Sequence, residues 1–471
     1  MSRLHDALNQ TKPRMILPSR RSVQRTTQEL PIGAPRGGSA APAATPLKKI
    51  ESPVGLLTAL MGFYILLYMA PAVEIMAYYL HVLFPIIIIV GAIIVTAFPF
   101  TGQMSRFLRS PIAKPWLALM ACYLAASAFS SYRGGSVPFM LGYCTRVHTM
   151  PFLFCGIALT ARRVRHLMLW SAAACLLVLV ICLKYGQYTE GRFALSQTSL
   201  ENPNDLAFNL LLGCAFLLMF VFQRSWTFRI LWAVTFPLSL LFVLKSGSRA
   251  NFITLIAATV LAWLLSSSGV KVFFFLLAPV LMVIIAMLVP QSTWYRLGSI
   301  VADPRSTLAS TDDPTVKSVV GSQLARTELQ KRAWKMTLAH PLLGVGPMQF
   351  ADYADSMVRT EMGRKSSWQY PHNVYLQISS ECGIPALIFY VWSIVLCCRM
   401  NYRSFKLCGG TADRRSSRAQ SYCLLLASVI YAIGIAFCNV AYYSYLSILV
   451  GFTAANSLAV QQELAITQKA A

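Results

Sequence analysis

Residues 164–184 read VRHLMLWSAAACLLVLVICLK. From Leu167 to Leu183 no residue is charged, while Arg162, Arg163 and Arg165 stand at the head of the run. A helix of about 20 apolar residues crosses a bilayer core of ~30 Å. Basic residues flanking such a run mark the side kept in the cytoplasm. The stretch therefore predicts a membrane-spanning helix and its orientation.

Comparable runs recur along the chain. They lie at 53–71, 81–100, 113–131, 137–161, 205–223, 228–245, 249–267, 271–290, 372–398, 418–438 and 440–460. With 164–184 they predict an all-α polytopic membrane protein of about twelve transmembrane helices. Pro71 interrupts the first run, and Arg146 lies inside the fourth. Of the 471 residues, 56% are hydrophobic and 12% charged. A soluble domain carries about 25% charged residues. The short alternating segments of a membrane β-barrel are missing from the pattern.

The net charge of +24 follows the topology and does not call for nucleic acid. Loops expected inside hold Arg106, Arg109 and Lys114; Arg162, Arg163 and Arg165; Arg224 and Arg229; Lys271; and Arg399, Arg403, Lys406, Arg414, Arg415 and Arg418. Short loops expected outside carry only Glu74 and Arg133. Both termini are thereby placed in the cytoplasm. Residues 1–50 contain nine Lys/Arg and two acids among Pro, Gly, Ala and Ser. They predict a disordered basic tail, with no apolar core of signal-peptide type. The twelve cysteines fall mostly inside apolar runs and show no C-x-x-C spacing. They read as small buried hydrophobes.

The expected organisation is a tail at 1–50, spans one to nine over 51–290, an outer loop subdomain at 291–371, spans ten to twelve over 372–460, and a tail at 461–471. The loop between spans nine and ten is too long for a simple connection. It holds seven of the 17 acids and ten Lys/Arg. Its part GSQLARTELQKRAWKMTLAH (321–340) has helical apolar spacing at Leu324, Leu329, Ala333, Met336 and Leu338, with Trp334 alongside. A Pro-Gly turn follows, then a second short helix near 348–357.

Polar groups at the ends of spans are candidate functional residues. On the side expected outside they gather in four places. Arg192 precedes Glu201-Asn202-Pro203-Asn204-Asp205, where Asn204 or Asp205 is a candidate helix cap. Lys245-Ser246-Gly247-Ser248-Arg249 turns tightly and opens the next helix, so free N–H groups and a guanidinium meet. Arg326 lies on the loop helix, with Lys331, Arg332 and Lys335 spaced as a solvated face. His372 and Asn373 start span ten. Glu381 is nine residues further on, about 13 Å deeper along a helix. A carboxylate at that depth calls for a polar partner. Arginines and a histidine without metal-ligand spacing suit a diphosphate head group. No phosphate-binding glycine loop or nucleophile motif appears, and no cofactor or metal is expected. Arg146, His148 and Pro151 lie within the fourth run, and they keep open a transporter or flippase of a lipid-linked saccharide.

HPLLGVGPMQF (340–350) and PHNVYLQISSECGIP (371–385) together resemble the O-antigen ligase and polysaccharide polymerase superfamily. SGSRANF (246–252) is similar to its Gly-Ser-Arg element, and ENPNDLA (201–207) to its Asn-Pro-Asn element. The Arg326 helix resembles its Arg-x-x-x-Trp helix, with Gln330 where the family commonly has tryptophan. The resemblance implies a metal-independent, inverting glycosyltransferase of the bacterial inner membrane, with its active site facing the periplasm. Its donor would be a glycan on undecaprenyl diphosphate. Arg249 and Arg326 would bind the diphosphate, with Arg192 as a third cation. His372 would be the general base or would orient the acceptor hydroxyl. Asn373, Glu381 and Asn204 would support the substrate site. Lipid A–core as acceptor would make the chain a ligase of lipopolysaccharide biosynthesis. A growing glycan as acceptor would make it an O-antigen or exopolysaccharide polymerase.

Overall fold

The structure, a computed structural model, describes residues 55–79, 86–189, 191–269, 271–272, 287, 314–363, 369–409 and 414–470. The expected tail at 1–50, most of the expected span at 271–290 and the first part of the long loop lie outside these residues.

The described chain is a helical bundle. Its helices are α1 (Leu56–Met69), α2 (Ala72–Tyr79), α3 (Ile86–Ala97), α4 (Ala113–Ala128), α5 (Arg133–Tyr143), α6 (Met150–Ile157), α7 (Ala161–Tyr185), α8 (Pro203–Val221), α9 (Trp226–Lys245) and α10 (Arg249–Leu265). After the undescribed stretch come α11 (Pro314–Ala339), α12 (Phe350–Met362), α13 (Val374–Leu407), α14 (Arg415–Gly434) and α15 (Tyr445–Ala470). By length and composition five of the described helices are apolar enough to cross a membrane, or up to six counting a bent pair. These five are α7, α8, α9, α13 and α14 with its 3₁₀ extension to Phe437.

Two expected spans are broken. α1 and α2 meet at 62° across Pro71, whose ring cannot continue the helix. The expected span 137–161 is α5, a π-turn at Cys144–His148, and α6. Pro138 sits inside α5, and Pro151 begins α6.

α8 is the centre of the bundle. In its most apolar window 89% of the residues are buried, against 28% for α9. It packs on α7, α9 and α14, while α13 packs on α4, α14 and α15. Gly213 lets α8 approach α7 closely, since a Cβ there would meet the Cys175 side chain. Beside the main core, Leu329, Ala333 and Met336 of α11 bury against Phe350 and Ala354 of α12. Trp334 and Leu338 stay exposed on the outer side of α11.

A two-stranded hairpin departs from the all-helical expectation. β1 (Gln187–Thr189) pairs antiparallel with β2 (Arg192–Ala194), and Thr189 is opposite Arg192.

Candidate functional site

The site is built where five chain breaks meet: β2, the start of α8, the α9–α10 turn, the middle of α11 and the start of α13. The link between α14 and α15 closes it.

Pro203 takes the first position of α8, where its missing N–H costs nothing, so Asn202 becomes the cap. Its side chain accepts from Asn204 N–H at 2.9 Å. This corrects the expectation that Asn204 or Asp205 caps the helix. Asn204 is instead buried, and its Oδ1 accepts from Arg192 Nη2 at 2.8 Å. Arg192 Nε donates to the Ser246 carbonyl, also at 2.8 Å. One guanidinium thus ties the hairpin to the α8 start and to the α9–α10 turn.

The turn itself is held from inside. Gly247 adopts φ +60°, a left-handed value that glycine takes without strain. Ser248 caps α10 by accepting from Asn251 N–H at 3.3 Å. Asn251 Nδ2 reaches the Asn204 carbonyl at 2.9 Å, which fixes the two helix starts together. Arg249, half-buried, donates through Nη1 to Gln323 Oε1 of α11 at 2.9 Å.

Arg326 lies one turn further along α11 and is half-buried. Among the described residues its guanidinium has no hydrogen-bond partner. Burial pulls its pKa below the ordinary arginine value, while Cys438 and Asp205 oppose that shift. It therefore keeps its charge, partly desolvated. Lys331, Arg332 and Lys335 form a separate, solvated face, where Arg332 pairs with Glu328 at 3.4 Å and Lys335 with Glu361 at 3.7 Å.

His372 precedes α13 in the left-handed region, at φ +50°. A non-glycine residue holds that conformation only where its surroundings fix it. Asn439 does so: its Oδ1 accepts from the His372 backbone N–H at 2.8 Å, and its Nδ2 meets His372 Nδ1 at 2.9 Å. Burial, then the charges of Arg326 and Arg192, pull the imidazole pKa down to about 4. The ring is neutral at neutral pH. Asn373 caps α13, accepting from Leu376 N–H at 3.1 Å. Asp205, buried beneath the arginines, faces the Asn439 backbone N–H and the Cys438 thiol.

Glu381 belongs to a different piece of machinery. Pro385 has no N–H, so the Glu381 carbonyl has no helical partner four residues on. It accepts from Gly346 N–H at 2.9 Å. Val345 N–H takes the Ser380 carbonyl at 2.9 Å, and Ile384 N–H turns to the Pro341 carbonyl at 2.7 Å. The Pro-Gly loop thus inserts its backbone into a break of α13, where Gly383 has φ +86° and ψ 171°. A Cβ on Gly383 would meet the Leu342 carbonyl, and one on Gly344 the Glu381–Cys382 peptide. The Glu381 carboxylate, fully buried, accepts from Phe350 N–H at 3.2 Å and from Tyr442 OH at 2.6 Å. On the loop's other side Ser131 Oγ donates to the Val345 carbonyl at 2.9 Å, and Ser136 Oγ to that of Pro347 at 2.8 Å.

Residues 234–391 match the family model described as O-antigen ligase. The match covers about a third of the chain and supports a likeness to the O-antigen ligase and polymerase superfamily. Comparison with curated proteins gives no match. The O-antigen ligase segment runs from within α9 into α13 and holds Arg249, Arg326, His372, Asn373 and Glu381. Arg192, Asn204, Asp205 and Asn439 lie outside it and complete the same cluster.

Of the residues singled out in the sequence, Arg192, Arg249, Arg326 and His372 come together. Asn204, Asn373 and Glu381 were expected to support the substrate site, and each side chain is engaged with other parts of the protein. Asn204 Oδ1 is occupied by Arg192, Asn373 by the α13 cap, and both Glu381 oxygens by the loop and Tyr442. His148 and Arg146 do not join the site. The His148 ring stacks on Trp116 at 4.0 Å and donates to its carbonyl at 2.9 Å, as a packed core histidine does. Arg146 is exposed and bonds the Gly142 carbonyl of its own helical turn at 3.1 Å. The sequence reading missed Asp205 as countercharge, and it missed Gln323 and Asn439. For Asn439 a signal existed: a lone amide between two apolar runs, at 439 in FCNVAYY.

Proposed function

We propose that the chain transfers a glycan from undecaprenyl diphosphate to an acceptor hydroxyl at the periplasmic face of the bacterial inner membrane, with lipid A–core as acceptor. The observation that carries this reading is the half-buried Arg326 guanidinium, without a hydrogen-bond partner among the described residues, beside a neutral His372. Arg192 and Arg249 hold the two helix starts next to it. A diphosphate supplies the oxygens such a cluster lacks, and its charge grows as it departs. The O-antigen ligase match over 234–391 supports the same class.

In the reaction the acceptor oxygen forms a bond to the anomeric carbon from the face opposite the diphosphate. The carbon–phosphate-oxygen bond breaks, and its electron pair leaves with the diphosphate. The product is inverted, and the arginines hold the departing charge without a metal ion. Both termini are cytoplasmic in this arrangement.

A deletion strain analysed for surface polysaccharide tests the reading. Undecorated lipid A–core, with polymerised glycan still on its carrier, is the expected result. Single repeat units in place of polymer would make the chain a polymerase and overturn the choice of acceptor.

A further inference from the structure

Asn439 determines which nitrogen of His372 carries the proton. A backbone N–H only donates, so the atom 2.8 Å from the His372 amide must be the Asn439 oxygen. Its amide nitrogen then faces the ring, 2.9 Å from Nδ1. An amide nitrogen also only donates, so Nδ1 presents a lone pair. Reversing the Asn439 amide would set its NH₂ against the backbone N–H, two donors face to face. Nδ1 being an acceptor, the one proton of the neutral ring sits on Nε2. Among the described residues Nε2 has no hydrogen-bond partner, so it is the ring atom left for substrate. The Asn439 backbone N–H in turn faces the buried Asp205 carboxylate, which keeps the amide from rotating with its segment.

We propose that Asn439 is a positioning residue that holds His372 as an Nε2–H donor, and that His372 gives a hydrogen bond to an oxygen of the diphosphate. The role rests on the glycan-transfer reading above. His372 then stands with Arg326 and Arg192 as a third donor to one anion, and does not take the acceptor's proton. The step still balances. As the acceptor oxygen bonds to the anomeric carbon and the bond to the phosphate oxygen breaks, the hydroxyl proton is released to water on the acceptor's side, and the electron pair leaves with the diphosphate.

The charged groups facing His372 are Arg326 from α11 and Arg192 from β2, with Asp205 of α8 coupled to both arginines. Replacing Asn439 by aspartate changes the logic at one atom. One carboxylate oxygen still accepts the His372 backbone N–H, but the other now demands a proton on Nδ1. The neutral ring then loses its Nε2 proton and regains it only as imidazolium.

The test uses the full chain in lipid nanodiscs with ring-¹⁵N histidine. The chain has six histidines, and the His372 signal is the one missing from His372→Gln. In the native protein we expect an unprotonated Nδ1 and a protonated Nε2. In Asn439→Asp we expect the reverse, with kcat for transfer down about tenfold or more at pH 7.5 and partly restored at lower pH. A merely structural role would not move the ring proton. His372→Gln keeps an N–H donor but cannot take a proton, and it should exceed His372→Leu in transfer by about tenfold. That comparison stands even if Asn439→Asp fails to fold. A native Nδ1–H ring, undiminished transfer in Asn439→Asp, or equal loss in the two His372 variants would overturn the proposal. An Nε2–H ring in a native protein that transfers no glycan would refute the transfer reading and leave the Asn439 assignment standing.

Discussion

Exchanging Glu381 for glutamine or alanine separates a structural clamp from a catalytic acid. The native carboxylate is 0% exposed and accepts from Phe350 N–H at 3.2 Å and Tyr442 OH at 2.6 Å, with the Met348 N–H and the Gln377 side chain also bonded to it. Alanine removes both acceptors at once. Each buried donor left unsatisfied costs about 1–3 kcal/mol. The cavity left by the lost methylene and carboxyl adds roughly 1 kcal/mol. For Phe350 N–H and Tyr442 OH alone this comes to about 3–7 kcal/mol, a large part of a typical folding margin of about 5–15 kcal/mol. Glutamine keeps an oxygen for Phe350 N–H, and the Tyr442 hydroxyl can rotate to accept from the new NH₂. Its cost is about 1 kcal/mol, the worth of one hydrogen bond. The expected outcome for Glu381→Ala is a sharply lower thermal midpoint, protease cleavage within 340–350, and loss of transfer. Glu381→Gln should unfold slightly earlier, resist cleavage, and transfer within about fivefold of native, the factor that 1 kcal/mol commands. The assays are thermal unfolding in detergent, limited proteolysis and transfer from a lipid-linked donor. A Glu381→Gln protein that is inactive, with unchanged midpoint and unchanged cleavage, would refute the clamp and give the carboxylate a part in the chemistry.

Other outcomes follow from the same contacts. Arg326→Ala should lose about a hundredfold or more in transfer, and Arg326→Lys should stay impaired, because an ammonium cannot offer a bidentate fork; donor turnover under saturating acceptor measures both. Gly383→Ala places a side chain at φ +86°, ψ 171°, a region only glycine occupies freely, at a cost of about 1–3 kcal/mol; a lower thermal midpoint with cleavage near Leu342 is the expected readout. Transfer should persist in excess EDTA, and loss of activity restored by adding back a divalent ion would remove the metal-free mechanism.

Much of this arrangement is legible in the sequence where one physical signal dominates. The apolar runs that become α7, α8 and α13 are long and poor in charge, so burial fixes them as helices. Arg249 and His372 were singled out because tight turns and helix starts have local signatures, in Gly247 and in the Pro371–Asn373 step. Arg192 was read from its surroundings as a loop cation and given a place at the diphosphate only through the family resemblance. Its hairpin has three residues per strand, too short for alternation to show, and what fixes the guanidinium is Asn204 and Ser246, 12 and 54 residues away. Asn439 was unreadable as a partner of His372, since the contact spans 67 residues and depends on helix packing. Glu381 was correctly expected to need polar company. The company proved to be the backbone of a loop, which no spacing rule reveals.

The backbone shows why the loop and the cations belong together. Six of the ten left-handed conformations among the described residues stand at Gly247, Gly344, Gly346, Met348, His372 and Gly383. Each lies in a segment that either carries a site residue or docks the loop against α13. Such conformations are unfavourable for non-glycine residues and persist where the surroundings over-determine them. At His372 the determinant is one amide that bonds the backbone and the ring together. At Gly383 it is the exchange of helical hydrogen bonds for loop ones, made necessary by Pro385. The two breaks bracket the first turns of α13. The loop held by Glu381 packs Phe350 against α11, and α11 carries Arg326. A change at Glu381 should therefore reach the anion cluster through α11, and it should weaken donor binding before it alters the state of the His372 ring.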